Sequence, residues 1–311
     1  MTEQTVAAVV VTYNRKQLLT ECLDALLAQT RPVNKIILIN NASTDGTPEL
    51  LEERGYLANP VMDYVRLPEN TGSAGGFHEG VKRGHEAGYD WLWLMDDDTI
   101  AKHDALHHLL SVSQQTSNKI GFVCSRVEWV DGAPHFMNIP VSKSIINGMA
   151  SNSFDDIGCQ LIESCSFVSV LVSRKAISAV GYPFSEMYIW ADDVEYTCRI
   201  TDAKWIGLYY PKSRVFHATQ ENYYPNILVD KASNLWRYKH GIRNRLYVER
   251  TRRGFAAFVF RVLYRLTVIN VSIIKNRKNA KGKAVATNTA ATLSSLFFLK
   301  PSKKKLSRQD R

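Results

Sequence analysis

The stretch WLWLMDDDTI, Trp91–Ile100, decides the fold. Five apolar residues run directly into Asp96, Asp97 and Asp98. A short apolar run bounded by polar residues reads as a strand buried on both faces. Carboxylates taken out of water cost several kcal/mol each unless they find partners. The three aspartates are therefore either a solvated turn or a site awaiting a positive charge. If strand alternation continued through them, Asp96 and Asp98 would point the same way, about 6.5 Å apart at the backbone, and Asp97 the opposite way. Two carboxylates so placed suit a divalent cation such as Mg²⁺ or Mn²⁺, which favour oxygen ligands.

Three upstream runs have the same character: VAAVVVTYN (Val6–Asn14), NKIILIN (Asn34–Asn40) and VMDYVRL (Val61–Leu67). Between the first two, Leu18, Leu19, Cys22, Leu23, Leu26 and Leu27 have the spacing of an amphipathic helix. TPELLEERGY starts another helix, and PENTGSAGGFHEGVKRGHEAG reads as a glycine-rich turn entering a third. Strands alternating with helices predict an α/β fold with a mostly parallel sheet covered on both faces. In such sheets ligands collect beyond the carboxyl ends of the strands. TYN, NNASTD, NTGSAGG and DDD all fall at that edge.

The second half is less regular. CSFVSVLVSRKAISAVG reads as a strand and a short helix. WADDVEY carries Asp192, Asp193 and Glu195. These acids suit a helix N-terminus, and a carboxylate there also suits a general base. His217, after the strand-like RVF, reads first as a structural histidine, although imidazole also suits Mn²⁺. GSAGG (Gly72–Gly76) is either a tight turn or a place where backbone approaches a phosphate. It is neither a dinucleotide fingerprint nor a P-loop.

The chain has 311 residues, 45% of them hydrophobic and 22% charged, enough to bury a large core. Its five cysteines form no C-x-x-C pair, which argues against a zinc knuckle and for reduced thiols. Met1–Val11 lacks the pattern of a signal peptide. The net charge of +9 is uneven: Gly241–Arg311 holds 18 basic and 2 acidic residues, leaving the preceding part at −7. Such a tail asks for an anionic partner. Nucleic acid is not expected, because no nucleic-acid fold is recognisable. FAAFVFRVLYRLTVINVSIIKNRK is apolar but carries Arg261 and Arg265, so it reads as an amphipathic helix lying on a membrane or on the body. KPSKKKLSRQDR reads as disordered.

VVVTYNR, NNASTDGT, NTGSAGGF, LMDDDT, ADDVEYTCR and VFHAT, in that order, resemble glycosyltransferase family 2, inverting enzymes of the GT-A fold. The resemblance covers roughly residues 6–220, a predicted catalytic domain over 1–220. A helical, basic extension would occupy 221–311. YKHGIRNR resembles a segment that follows the core in many members. The pattern is most similar to the bacterial galactofuranosyltransferases, with rhamnosyltransferases next.

The resemblance implies roles. Thr12, Tyr13, Asn14, Asn40 and Asn41 would line the nucleobase pocket. Arg15, Asn70, Gly75, Gly76 and Asp97 would also bind the donor. Asp96, Asp98 and His217 would hold Mn²⁺ or Mg²⁺. Asp193 would deprotonate the acceptor hydroxyl, and Asp192 would orient the acceptor. Many members carry Asp where this chain has Asn40, which leaves UDP and dTDP donors both open. The processive motif Q-x-x-R-W is not matched by NLWRYK. The expected reaction is transfer of galactofuranose from UDP-galactofuranose to a lipid-linked glycan. Its alternative is rhamnose transfer from dTDP-rhamnose. The expected location is cytoplasmic, on the inner face of a bacterial cytoplasmic membrane, in assembly of a surface polysaccharide such as O-antigen.

Overall fold

The computed structural model describes residues 4–116 and 119–298. Its strands are β1 (Val6–Thr12), β2 (Lys35–Asn40), β3 (Met62–Arg66), β4 (Trp91–Asp96), β5 (Thr99–Ala101), β6 (Ile120–Glu128), β7 (Ile145–Ile146), β8 (Met149–Ala150), β9 (Gln160–Ile162), β10 (Val170–Ser173) and β11 (Ile206–His217). The helices are α1 (Lys16–Leu27), α2 (Thr47–Glu53), α3 (Gly72–Glu86), α4 (Ala105–Gln115), α5 (Arg174–Val180), α6 (Asp192–Asp202), α7 (Leu235–Tyr264), α8 (Asn270–Asn276) and α9 (Lys281–Ser294). The four expected strands form one parallel half-sheet in the order β3-β2-β1-β4. The sheet continues through β10, β6, β11 and β5, with β9 also on β11. β10 runs antiparallel to both neighbours, and β11 parallel to β6.

Every residue of β1 is buried. Val6, Ala8 and Val10 enter one core with Leu19, Leu23 and Leu106, while Ala7, Val9 and Val11 enter the other with Phe77 and Ala176. This period-two division puts apolar side chains on both faces, as a helix-covered sheet requires. The glycine-rich segment proves to be helix from Gly72 onward, not an extended turn. Gly76, Gly80 and Gly84 lie on one face at i, i+4 spacing. A Cβ at these positions would stand 2.4 Å from Val11, 2.3 Å from Val9 and 2.5 Å from Leu92. Their missing side chains let α3 press onto the sheet.

The C-terminal helices form a cluster of their own, in which Phe258, Val262 and Ile273 pack with Ala284 and Ala291. A second cluster ties Tyr247 of α7 to Met187 and Ala74. α7 kinks at Gly254 (φ 86°, ψ 175°), and a π-helical turn, Arg265–Ile269, leads into α8. The helical run Ala232–Asn276 is long and apolar enough, by length and composition, to cross a membrane, and its most apolar window is only 17% buried. The basic tail from Lys300, expected to be disordered, lies outside the described residues.

Candidate active site

β4 ends at Asp96, and Asp97–Asp98 form the turn into β5. Simple strand alternation therefore stops at Asp96. The turn brings Asp98 together with Asp96, as expected, but it does not turn Asp97 away, since Asp97 and Asp98 share the same Arg15 nitrogen. Asp97 faces β1, where its Oδ2 accepts from Thr12 Oγ1 (2.8 Å) and from the Tyr13 N–H (3.3 Å). Asp98 faces β11, because β5 pairs antiparallel with it and sets Thr99 opposite His217. The Asp98 carbonyl accepts from the Ala218 N–H at 2.9 Å. Ligand atoms of Asp96, Asp98 and His217 all lie within 4.8 Å of one another.

The donor set fits a divalent cation. Asp98 Oδ1 is buried, stands 3.2 Å from His217 Nε2, and accepts no hydrogen bond among the described residues. The other face of the His217 ring is fixed: Nδ1–H donates to Asn138 Oδ1 (2.8 Å), and Asn138 Nδ2 donates to Ser166 Oγ (2.9 Å). With Nδ1–H so committed, Nε2 is the ring atom turned to Asp98, where it would be free to ligate a cation, the arrangement a metal-binding imidazole needs. His135 packs on the ring at 4.5 Å. Burial and the His217 charge bring its pKa down to about 4, so it is neutral at pH 7.

The carboxylates are held at cost. Burial, then the Asp98 charge, raises the pKa of Asp96 to about 6. Burial also raises Asp97, to about 7, with Arg15 and Thr12 opposing. For Asp98 burial is outweighed by His217 and Arg15, and the pKa falls to about 2. Arg15 bridges Asp97 Oδ1 (3.3 Å) and the Asp98 carboxylate while its side chain remains 42% exposed.

Asp192 and Asp193 open α6. They belong to the same electrostatic site, since Asp96 feels the Asp193 charge and Asp192 feels that of Asp96. Burial, then the Asp193 charge, pushes Asp192 well above the ordinary carboxylate range. Burial raises Asp193 too, opposed by the Val194 N–H and by Arg245. Glu195 is committed to Arg199 at 2.9 Å.

Several candidates prove architectural. Asn40 is fully buried; its Nδ2 donates to Tyr64 Oη (2.8 Å) and its Oδ1 accepts from the Ser43 N–H (2.8 Å). Asn41 is buried as well, donating to the Gly72 carbonyl and accepting from the Thr71 N–H. Each amide has intramolecular partners on both its oxygen and its nitrogen, and neither side chain is exposed. Asn14, at φ 54°, accepts from the Thr44 N–H (2.7 Å), and Asn70 from the Gly72 N–H (2.9 Å). A Cβ on Gly75 would meet Thr71 Oγ1 at 2.2 Å, and one on Gly76 would meet Val11. Both glycines are buried in α3, and the close approach each permits is to the protein. Tyr13 and Arg15 remain exposed beside the acids. Sequence reasoning missed Asn138 and Arg245. Asn138 sits in PHFMNIP, which has no motif, while Arg245 lies in YKHGIRNR, a segment noticed without a role.

Residues 7–160 match the family model described as glycosyl transferase family 2. This region belongs to glycosyl transferase family 2. The galactofuranosyltransferase GlfT1 of Mycobacterium tuberculosis is 32% identical over 201 residues, covering 63% of this chain and 64% of that protein. The chain thus spans less than two thirds of that relative's length. Among solved structures, mannosyltransferase PcManGT from Pyrobaculum calidifontis, in complex with GDP-Man and Mn²⁺, superposes with a TM-score of 0.55 at 16% identity, over 96% of this chain and 77% of that one. GalNAc-T7 with UDP, GalNAc and Mn²⁺ gives a TM-score of 0.61 at 13% identity, over 96% and 57%. These likenesses show the fold, GT-A.

Proposed function

We propose that the chain is an inverting glycosyltransferase that moves galactofuranose from UDP-galactofuranose to a hydroxyl of a lipid-linked glycan. One observation carries this reading. Paired carboxylates with a histidine, Asp96, Asp98 and His217, share one electrostatic site with the buried Asp192 and the half-buried Asp193. The galactofuranosyltransferase relative supports the sugar.

The Tyr13 ring, 43% exposed, offers the nucleobase an aromatic face. Arg15 presents its free N–H groups to the diphosphate. Asp96, Asp98 and His217 would hold a divalent cation, which would supply positive charge against the departing diphosphate. Asp193 takes the proton of the acceptor hydroxyl as the acceptor oxygen bonds to the anomeric carbon and the bond to the diphosphate oxygen breaks. Attack opposite the leaving group inverts that carbon. Its raised pKa makes Asp193 a stronger base than an exposed carboxylate, so kcat falls on acidification above the ordinary carboxylate range.

We assign the protein to the cytoplasmic face of a bacterial membrane. One face of the α7–α8 run is committed to α9, and the other exposes Phe255, Phe260, Leu263, Val271 and Ile274. Exposed Lys275, Lys278, Lys281 and Lys283 accompany it. With one side already packed on protein, the run suits lying in a bilayer interface. Basic side chains near an anionic surface add about 1 kcal/mol each.

The test is transfer from UDP-galactofuranose, with dTDP-rhamnose as the competing donor, to a polyprenyl-linked glycan, with product configuration read by NMR. We expect an inverted product from the UDP sugar. Asp193→Asn should lower kcat about 10²–10⁴-fold while UDP binding survives. A retained configuration, or equal loss of binding and turnover in the variant, would overturn the mechanism.

A further inference from the structure

Asp193 follows backbone that L-residues adopt reluctantly. Tyr188, Trp190 and Ala191 have φ of 64°, 64° and 65°. Three non-glycine residues in the left-handed half of φ space within four positions need outside support.

That support comes from two sides. On one, the N-terminus of α3 receives the Tyr188 carbonyl: the Ala74 N–H donates to it at 3.1 Å. A Cβ on Gly72 would stand 2.1 Å from that oxygen, so only glycine fits there. On the other side lies α7. Asn244, wholly buried, donates through Nδ2 to the carbonyls of Met187 (2.8 Å), Trp190 (2.8 Å) and Ile189 (3.2 Å). Its Oδ1 accepts from Arg243 Nε (3.0 Å) and Nη2 (2.9 Å), which fixes the amide so that its donors face the loop. Arg243 also donates to the Glu186 carbonyl at 2.8 Å. The His240 ring stacks on Tyr188 at 4.7 Å, and Gly241 leaves room for Trp190, whose ring a Cβ would meet at 2.7 Å.

We propose that Asn244 is a positioning residue for sugar transfer. It ties the carbonyls of Met187 and Trp190 so that the strained segment Tyr188–Ala191 presents Asp193 to the Asp96–Asp98–His217 cluster. The proposal rests on Asp193 being the base of the reaction above. It makes α7 part of the active-site architecture rather than an appendage.

Two measurements on Asn244→Ala and on the milder Arg243→Met test it. Amide hydrogen exchange reads the loop without any assumption about the reaction. Peptides spanning residues 185–195 should exchange faster in both variants, and peptides of β1 and β4 should keep wild-type rates. Transfer kinetics with UDP-galactofuranose read the consequence. kcat should fall about 100-fold, the scale of an ångström misplacement, with donor KM within about threefold, since no donor-side residue is altered. In an Asp193→Asn background Asn244→Ala should cost nothing further, because residues acting as a unit are non-additive. Exchange that is unchanged, or equally faster in β1 and β4, would overturn the proposal. So would an undiminished kcat loss in the Asp193→Asn background. If wild type transfers no sugar, the reading of the reaction fails, and the exchange measurement by itself decides whether Asn244 holds the loop.

Discussion

Asp97 offers a quantitative test of how the acidic cluster is held. It is buried, and its pKa rises from 3.8 to about 7 in the folded chain. A carboxyl whose folded pKa is raised contributes stability that is complete below the unfolded value and is lost as pH rises through the folded one. The window here runs from about pH 4 to about pH 7. Integrating the linkage between pH 5 and pH 8 gives a loss of about 2–3 kcal/mol from this group alone. Asp97→Asn removes the titration while keeping an oxygen for Thr12 and Tyr13. The stability of the variant minus that of wild type should therefore grow by about 2–3 kcal/mol from pH 5 to pH 8. The pairing with Arg15 is already contained in the folded pKa of Asp97, so its loss adds no separate pH-dependent contribution, and Asp98, with its pKa near 2, stays ionised beside Arg15 throughout. Urea unfolding in the presence of a chelator reads this as a midpoint difference that widens by about 1 M. A gap that is flat or shrinks over this range would refute the assignment of a buried, reluctantly ionised Asp97.

Asn138→Leu should weaken Mn²⁺ binding about 10–100-fold by freeing the His217 ring, with the fold retained; calorimetry reads this directly. Gly76→Ala and Gly282→Ala should move stability in opposite directions. The first forces a methyl to 2.4 Å from Val11 and should cost about 1–3 kcal/mol, whereas the second meets nothing within 4 Å and should gain a few tenths to about 1 kcal/mol; thermal melts distinguish them. Replacing both Phe260 and Leu263 by Ser should abolish cosedimentation with anionic vesicles and leave soluble UDP binding intact, both side chains being exposed.

The parallel half-sheet was legible because β1, β2 and β4 are buried on both faces and so read as apolar runs, whereas the partly buried edge strand β3 carries Asp63 and Arg66. The placing of Asp96, Asp98 and His217 together was legible as a pattern, though its cause was not. It is the β5–β11 pairing, a contact between segments more than a hundred residues apart, that seats His217 against Asp98. The intramolecular roles of the amides were not legible for a related reason. Asn40 and Asn41 sit at the ligand edge, but whether an amide faces a ligand or its own loops depends on partners such as Tyr64 and Gly72, which sequence spacing does not specify. The glycines of α3 misled because composition does not distinguish a turn from a helix that must press against a sheet. Asn138 was invisible, since it carries no motif and matters only through the ring it orients.

Calorimetric titration of UDP and dTDP into wild type and Asp98→Ala, each with and without Mn²⁺, tests the donor site most directly. Mn²⁺-dependent binding of UDP to wild type, lost in Asp98→Ala while its unfolding transition stays cooperative, is the expected result. Binding of neither nucleotide to a folded wild type, or UDP binding indifferent to both Mn²⁺ and Asp98, would contradict a cation-assisted sugar-nucleotide site at the Asp96–Asp98 turn.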